Sequence, residues 1–385
     1  MQQWRQPYLD PRLTLTDLNA DGTMDYVLSG YPKQARRSAS GQPQADSVVA
    51  LDGREGKLIW GYQTQGHVAS YPAIYRDTVY FGASDKNVYA LDLHNGSLKW
   101  KFRSGGAIQG SVCAGGGKVY FGSGDHKLYA LNAANGKELW HFNAAKAIDT
   151  SPALASGRVF FGSWDRKFYA LEARSGRPLW SFQAEGPFGS SSPVLAQGTL
   201  YVGNWDQNLY ALAADSGRLK WKYRTRGLIE ASPVVAGEQV FVGSHDGQFY
   251  AFGRKSGKLA WSFPAKAPIH GSAAISQLGL YFSNGNGTLF ALNPWGELRW
   301  RAQAGGDIHS APALAGQMVL TGSPTGGLLR YHDPFTQVLW GMAGGEPEHH
   351  HSAALAAKEG EKLALSRIGW WPLRIWSLLP TTSKF

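Results

Sequence analysis

A single cysteine, Cys113, stands among 385 residues. A lone thiol closes no internal disulfide and builds no Cys-x-x-Cys metal or haem site. Its apolar neighbours, and the Ala or Val found at its position in related segments, predict a core role. No apolar run reaches the roughly eighteen residues of a spanning helix. The most apolar late stretch, 368–379, is interrupted by Pro372 and Arg374. Met1-Gln-Gln-Trp-Arg5 lacks the apolar segment of a signal peptide, so any export signal is expected outside this sequence. Charge is sparse at 17%. Walker loops, His-Glu-x-x-His helices and Ser-His-Asp elbows are all missing, which removes the commonest nucleotide, zinc-protease and hydrolase chemistries.

Aromatics and glycine fill the space that charge leaves. There are 15 Trp, 17 Tyr, 17 Phe and 48 Gly, a composition that suits short strands and tight turns. The net charge of +10 favours an acidic partner, either a protein face or a ligand. Because the 38 Lys and Arg are spread along the chain, specific nucleic-acid binding is not expected.

The chain repeats itself. Trp60, Trp100, Trp140, Trp180, Trp221, Trp261, Trp300 and Trp340 follow one another at intervals of 40, 40, 40, 41, 40, 39 and 40 residues. A period near forty marks a stacked-repeat architecture. Glycine stands four residues before each of the first seven, from Gly56 to Gly296, and Thr336 before the eighth. Upstream lie Tyr89-Ala90-Leu91 and its relatives, preceded by aromatic–Gly runs such as Tyr120-Phe121-Gly122. Each repeat therefore reads as four short strands, at 151–154, 158–163, 167–172 and 178–182 in one example. Polar turns such as Ser84-Asp85-Lys86-Asn87 join the middle strands, where Asp can accept from nearby amides. A sheet with two apolar faces must be stacked, so we expect an all-β propeller of four-stranded antiparallel blades in one domain. The tryptophans are expected to dock between neighbouring blades.

The spacing Ala50-Leu51-Asp52…Gly56…Trp60, repeated at Ala90-Leu91-Asp92…Gly96…Trp100, resembles the tryptophan-docking motif of pyrroloquinoline-quinone-type propeller repeats. The resemblance covers nearly the whole chain and implies the fold. Its enzyme branch, the quinoprotein dehydrogenases, uses a vicinal Cys–Cys pair and long pocket-forming insertions, neither of which is present here. It thus implies the non-catalytic branch, similar to the propeller lipoprotein of the outer-membrane barrel-assembly machinery, a periplasmic or extracellular setting and no quinone. Without a signal in the sequence, a cytoplasmic setting stays open.

Segmentation by repeat gives a closing outer strand at 1–7, a first blade at 8–60 with a mobile insert at 31–46, seven regular blades at 61–340 and a three-stranded closing blade at 341–385. The last set rests on parallels such as Leu373-Arg374-Ile375-Trp376 with Leu329-Arg330-Tyr331-His332. Pairing it with Gln3-Trp4-Arg5 makes nine blades; eight blades with a divergent tail is the alternative.

Two sets of residues suggest ligands. Asp17, Asn19, Asp21, Thr23 and Asp25 form a D-x-N-x-D-G-x-x-D loop that resembles FG-GAP calcium loops. Alternating hard oxygens about a sharp Gly22 turn suit calcium, and an Asx-rich hairpin is the plainer reading. Three residues before the proline of each repeat's Ser-Pro pair, or its equivalent, stand Gln109, Asp149, Ser190, Glu230, His270, His309 and His350. Equivalent positions lie at one height on a propeller axis. Such a ring can bind a transition metal or an anion, or simply line a solvated channel mouth. The expected function is a monomeric, non-catalytic scaffold binding protein or ligand. A quinone- or metal-dependent oxidoreductase and the sensor propeller of a larger protein are the alternatives.

Overall fold

The computed structural model describes Gln3–Trp4, 12–18, 24–32 and 46–336, apart from 54, 277 and 324–326. The chain divides into units 1–355 and 356–385, and only the first contains described residues. Eight four-stranded antiparallel sheets follow one another around it. The fourth runs through Ala153–Ala155, Arg158–Gly162, Lys167–Glu172 and Pro178–Gln183, within a residue or two of the sequence expectation. The innermost strands, two to five residues long, contact one another in succession from blade 2 to blade 8, and that of blade 1, Arg12–Thr16, contacts that of blade 8, Ala313–Ala315.

Closure occurs at eight. Gln3–Trp4 pairs with Leu329 and Leu328 on the strand Gly327–His332 and becomes the fourth strand of blade 8. The nine-blade count joined those two residues to 341–385; among the described residues they pair with blade 8 instead, so eight four-stranded blades close the ring there. The segment 341–385, His350 and Trp340 lie outside the described residues. So do 33–45 of the expected insert, whose ends, Tyr31–Pro32 and Asp46, are strand.

Aromatic residues hold adjacent blades together. Trp60 Nε1 donates to Leu93 O of the next blade at 2.8 Å, Trp100 to Ala133 O at 2.9 Å and Trp221 to Arg254 O at 3.0 Å. Trp300 donates instead to the buried Asp333 carboxylate. Trp140 Nε1 has no partner among the described residues. The rings of Trp60, Trp100, Trp140, Trp180, Trp221 and Trp261 each lie against the hairpin glycine of the following blade, so that glycine serves the neighbour's tryptophan as well as its own turn. A β-bulge recurs beside the tryptophan in blades 1 to 7, as between Ala130 and Leu131, where it increases local twist.

The turn aspartates do more than close turns. Asp125 accepts from Lys127 N in its own turn, from Tyr129 Oη at 2.6 Å and from Gly105 N at the end of the preceding outer strand. The same Asp–Tyr pair recurs as Asp85–Tyr89, Asp165–Tyr169, Asp206–Tyr210 and Asp246–Tyr250. Burial alone would raise the Asp125 carboxyl, but these donors outweigh it and hold the group below its usual range.

Serines join the blades at the axis. Tyr71 N donates to Ser111 Oγ, Ser111 N to Ser151, Ser151 N to Ser192, Ser192 N to Ser232 and Ser232 N to Ser272, at 2.8–3.1 Å. Ala311 holds the equivalent position in blade 8 and has no hydroxyl. Its N–H donates to the Tyr71 phenol at 2.7 Å, 240 residues away in sequence. Ser151→Ala strands the buried Ser111 N–H and is expected to cost about 1–3 kcal/mol, read from the denaturant midpoint. A loss below about 0.5 kcal/mol, typical of a surface site, would show that this chain of bonds does not brace the ring.

Candidate functional site: the axial mouth

The residue before five of the six described axial positions is apolar and fully buried: Ile108, Ile148, Ile229, Ile269 and Ile308; before Ser190 stands Gly189, with the buried Phe188 one residue earlier. Strand-like alternation then turns the next side chain toward the channel. A glycine receives Ile108, Ile148, Ile229 and Ile269 closely; a Cβ on Gly122 would come within 2.3 Å of Ile148. Local sequence thus places the axial side chains. Gln109, Asp149, Ser190, Glu230, His270 and His309 all line one open cavity of about 430 Å³, together with Tyr71 and the axial serines. Six of the seven expected positions are therefore together, and the seventh, His350, is outside the described residues.

The two acids at equivalent positions behave oppositely. Asp149 Oδ2 accepts from Trp164 Nε1 at 2.6 Å, and Glu230 Oε2 faces His245 Nε2 at 2.8 Å. Trp164 and His245 occupy the same turn position, directly before the turn aspartate and fifteen residues after the axial acid. Burial raises the Asp149 carboxyl above its ordinary value, against a lowering by the Trp164 bond. Hydrogen bonds from His245 and then His270 hold the Glu230 carboxyl down at about 2. Neither His245 nor Trp164 was expected at the site, although the fifteen-residue offset from the axial acid could have identified both.

A raised carboxyl gives a checkable pH dependence. Its folded-state pKa exceeds the unfolded value, so ionisation opposes folding. Its contribution is full below the unfolded pKa and is lost as pH rises through the folded one. Asp149→Asn keeps an acceptor for Trp164 and removes the charge. The variant is expected to melt at or above the parent at pH 7 and to converge with it below about pH 4, read from melting curves across pH. Melting several degrees lower at pH 7 would show that the charge is stabilising.

A second cluster extends from the first. His270 Nδ1 lies 3.4 Å from Glu230 Oε2, and its Nε2 lies 3.8 Å from Asp307 Oδ1. Asp307 Oδ2 is 3.1 Å from His309 Nε2. The His270 ring stacks on His309 at 4.3 Å and meets His245 edge-on at 4.4 Å. Asp307 is a further residue that the repeat register did not single out.

Of the calcium-type loop, Asn19, Asp21 and Thr23 lie outside the described residues. Asp25 is fully buried. Its carboxylate accepts from Leu18 N at 2.9 Å and Gly53 N at 2.8 Å, tying the loop to the turn after the third strand. Cys113 is buried in the core, as expected. Among the described residues no helix is long and apolar enough to cross a membrane.

The family model described as outer membrane protein assembly factor BamB matches four overlapping segments, 2–109, 100–192, 169–278 and 265–369. Many solved structures are similar, two of them as follows. The crystal structure of BamB from Moraxella catarrhalis is 18% identical with a TM-score of 0.68, covering 86% of this chain and 97% of that one. The crystal structure of the computationally designed Ika8 protein is 14% identical with a TM-score of 0.72, covering 86% and 98%. No curated protein matches.

Proposed function

The chain belongs to the family of the outer membrane protein assembly factor BamB, and from that premise we propose that it is a non-catalytic protein-interaction scaffold of the cell envelope. It acts as a monomer and receives its partner at the axial mouth. One observation carries this reading: the mouth is a preformed polar surface. The serine bonds run from blade to blade beneath it, and the Ile plugs hold the axial side chains above it. A surface already ordered loses little conformational entropy on binding. Exposed Lys99, Lys101, Lys220, Lys222 and Arg224 on the outer strands protect sheet edges and draw an acidic partner by long-range attraction.

The test sets scaffold against quinoprotein. Purified protein is incubated with pyrroloquinoline quinone, calcium and an artificial electron acceptor across simple alcohols and sugars. No dye reduction above the quinone-only background is expected. Substrate-dependent turnover that titrates with quinone would overturn the scaffold reading.

The same reading includes a structural calcium ion at Asp17, Asn19, Asp21, Thr23 and Asp25. Its support is the alternation of hard oxygens and the position of Asp25, whose two amide bonds leave further lone pairs for an ion. A ligand bound only to the folded state stabilises it, by about 2.7 kcal/mol at a hundred times its Kd. Chelation is expected to lower the melting temperature, and Asp21→Ala to remove that sensitivity. A melting temperature indifferent to both chelator and added calcium rules the ion out.

A further inference from the structure

Five side chains from three consecutive blades form one connected cluster on the axis. Glu230 and His245 belong to blade 6, His270 precedes the inner strand of blade 7, and Asp307 and His309 precede that of blade 8. Ligand atoms of Glu230, His245 and His270 lie within 4.8 Å of one another, as do those of His270, Asp307 and His309. The first set is the more enclosed. Its side chains are 22%, 21% and 16% exposed, against 53% and 47% for Asp307 and His309.

We propose that Glu230, His245 and His270 bind a divalent transition-metal ion of the zinc class, with an open coordination position facing the axial cavity. The donor set argues for this class. Two imidazole nitrogens and one carboxylate oxygen suit zinc, copper or nickel, whereas calcium and magnesium prefer all-oxygen sets. Two histidines and a glutamate with a free fourth position is a recurrent zinc arrangement. The packing argues for it as well. The His270 imidazole touches those of His245 and His309, an arrangement that would repel if all three were protonated. One Glu230 oxygen lies 2.8 Å from His245 Nε2 and 3.4 Å from His270 Nδ1, so the three ligand atoms converge.

Asp307 supplies an outer partner. With its Nδ1 on the ion, His270 carries its proton on Nε2, the atom facing Asp307 Oδ1 at 3.8 Å. A carboxylate behind a ligating histidine fixes its tautomer and orientation. His309, at 3.1 Å from the other Asp307 oxygen, holds that carboxylate in place. Asp307 is therefore a positioning residue.

The test uses the full chain, stripped with chelator and then titrated with zinc alone. One equivalent is expected to stay with the protein through gel filtration. Cobalt substituted for zinc is expected to give the visible absorption of a four-coordinate nitrogen–oxygen site. Glu230→Gln and His245→Ala should each weaken zinc by well over tenfold. Asp307→Asn should weaken it by about 10–100-fold, the range for residues behind the ligands. Near-ultraviolet circular dichroism of each variant shows that the fold persists; should His245→Ala misfold, His245→Gln replaces it. Replacing His349, His350 and His351 together should leave binding intact. The proposal is overturned by zinc lost in gel filtration. It is equally overturned by zinc that survives Glu230→Gln and His245→Ala, or that disappears with the 349–351 replacement.

Discussion

Replacing Trp100 by alanine is expected to lower the unfolding free energy by about 3–5 kcal/mol, the range for removing a large buried aromatic. Its indole is only 9% exposed, packs at 5.7 Å from the ring of Tyr80 and donates to Ala133 O in the next blade. The substitution removes the transfer energy of the ring and opens a cavity between blades 2 and 3. It also takes away one of two donors to that carbonyl, since Tyr80 Oη still reaches it. The loss is read from the denaturant midpoint at unchanged slope. The more exposed Trp180 and Trp261 should cost less. A Trp100→Ala loss below about 0.5 kcal/mol would be a surface effect and would contradict a load shared across the blade boundary.

Gly136→Ala is expected to be nearly as damaging, and a matched control separates its two causes. Gly136 and Gly157 share a φ of +69°. A Cβ at Gly157 meets nothing within 4 Å, whereas at Gly136 it would come 2.6 Å from Trp100 Cε3. Gly157→Ala therefore incurs only the left-handed backbone cost, about 1–2 kcal/mol. Gly136→Ala adds overpacking of about 1–3 kcal/mol, for a total near 2–5 kcal/mol. Equal losses at the two positions would show that the neighbouring tryptophan does not constrain Gly136.

The fold was legible because its determinants are local and repeated. A tryptophan every forty residues, with glycine four before it, states both the blade and its turn. The blade count was not, because the terminal strand is two residues long. Gln3–Trp4 carries too little pattern to choose between Gly327–His332 and the similar 373–376, and only the ring's geometry decides. The axial ring was legible for a related reason: one register position per repeat maps to one height on the axis.

What complements that ring was not legible. His245 and Trp164 reach the axis from a different turn, and Asp307 sits two residues off register. Tyr71 occupies a serine position, yet its phenol reaches past blade 1 to accept from Ala311 N in blade 8. Nothing near Tyr71 in sequence indicates a partner 240 residues away. The turn aspartates were expected to accept from nearby backbone amides. Their bonds to Tyr89, Tyr129 and their relatives, and to the preceding outer strand, depend on how strands pair in space.

The claim that the axial mouth is the working surface of an envelope scaffold is tested most directly by site-specific photo-crosslinking in cells. A photoreactive residue is placed at Gln109 or Ser190 on the mouth, and at Lys101 or Arg224 on the outer strands. The account predicts a discrete adduct with another envelope protein from the mouth positions. Adducts arising only from the outer strands, with the mouth positions blank, would contradict it.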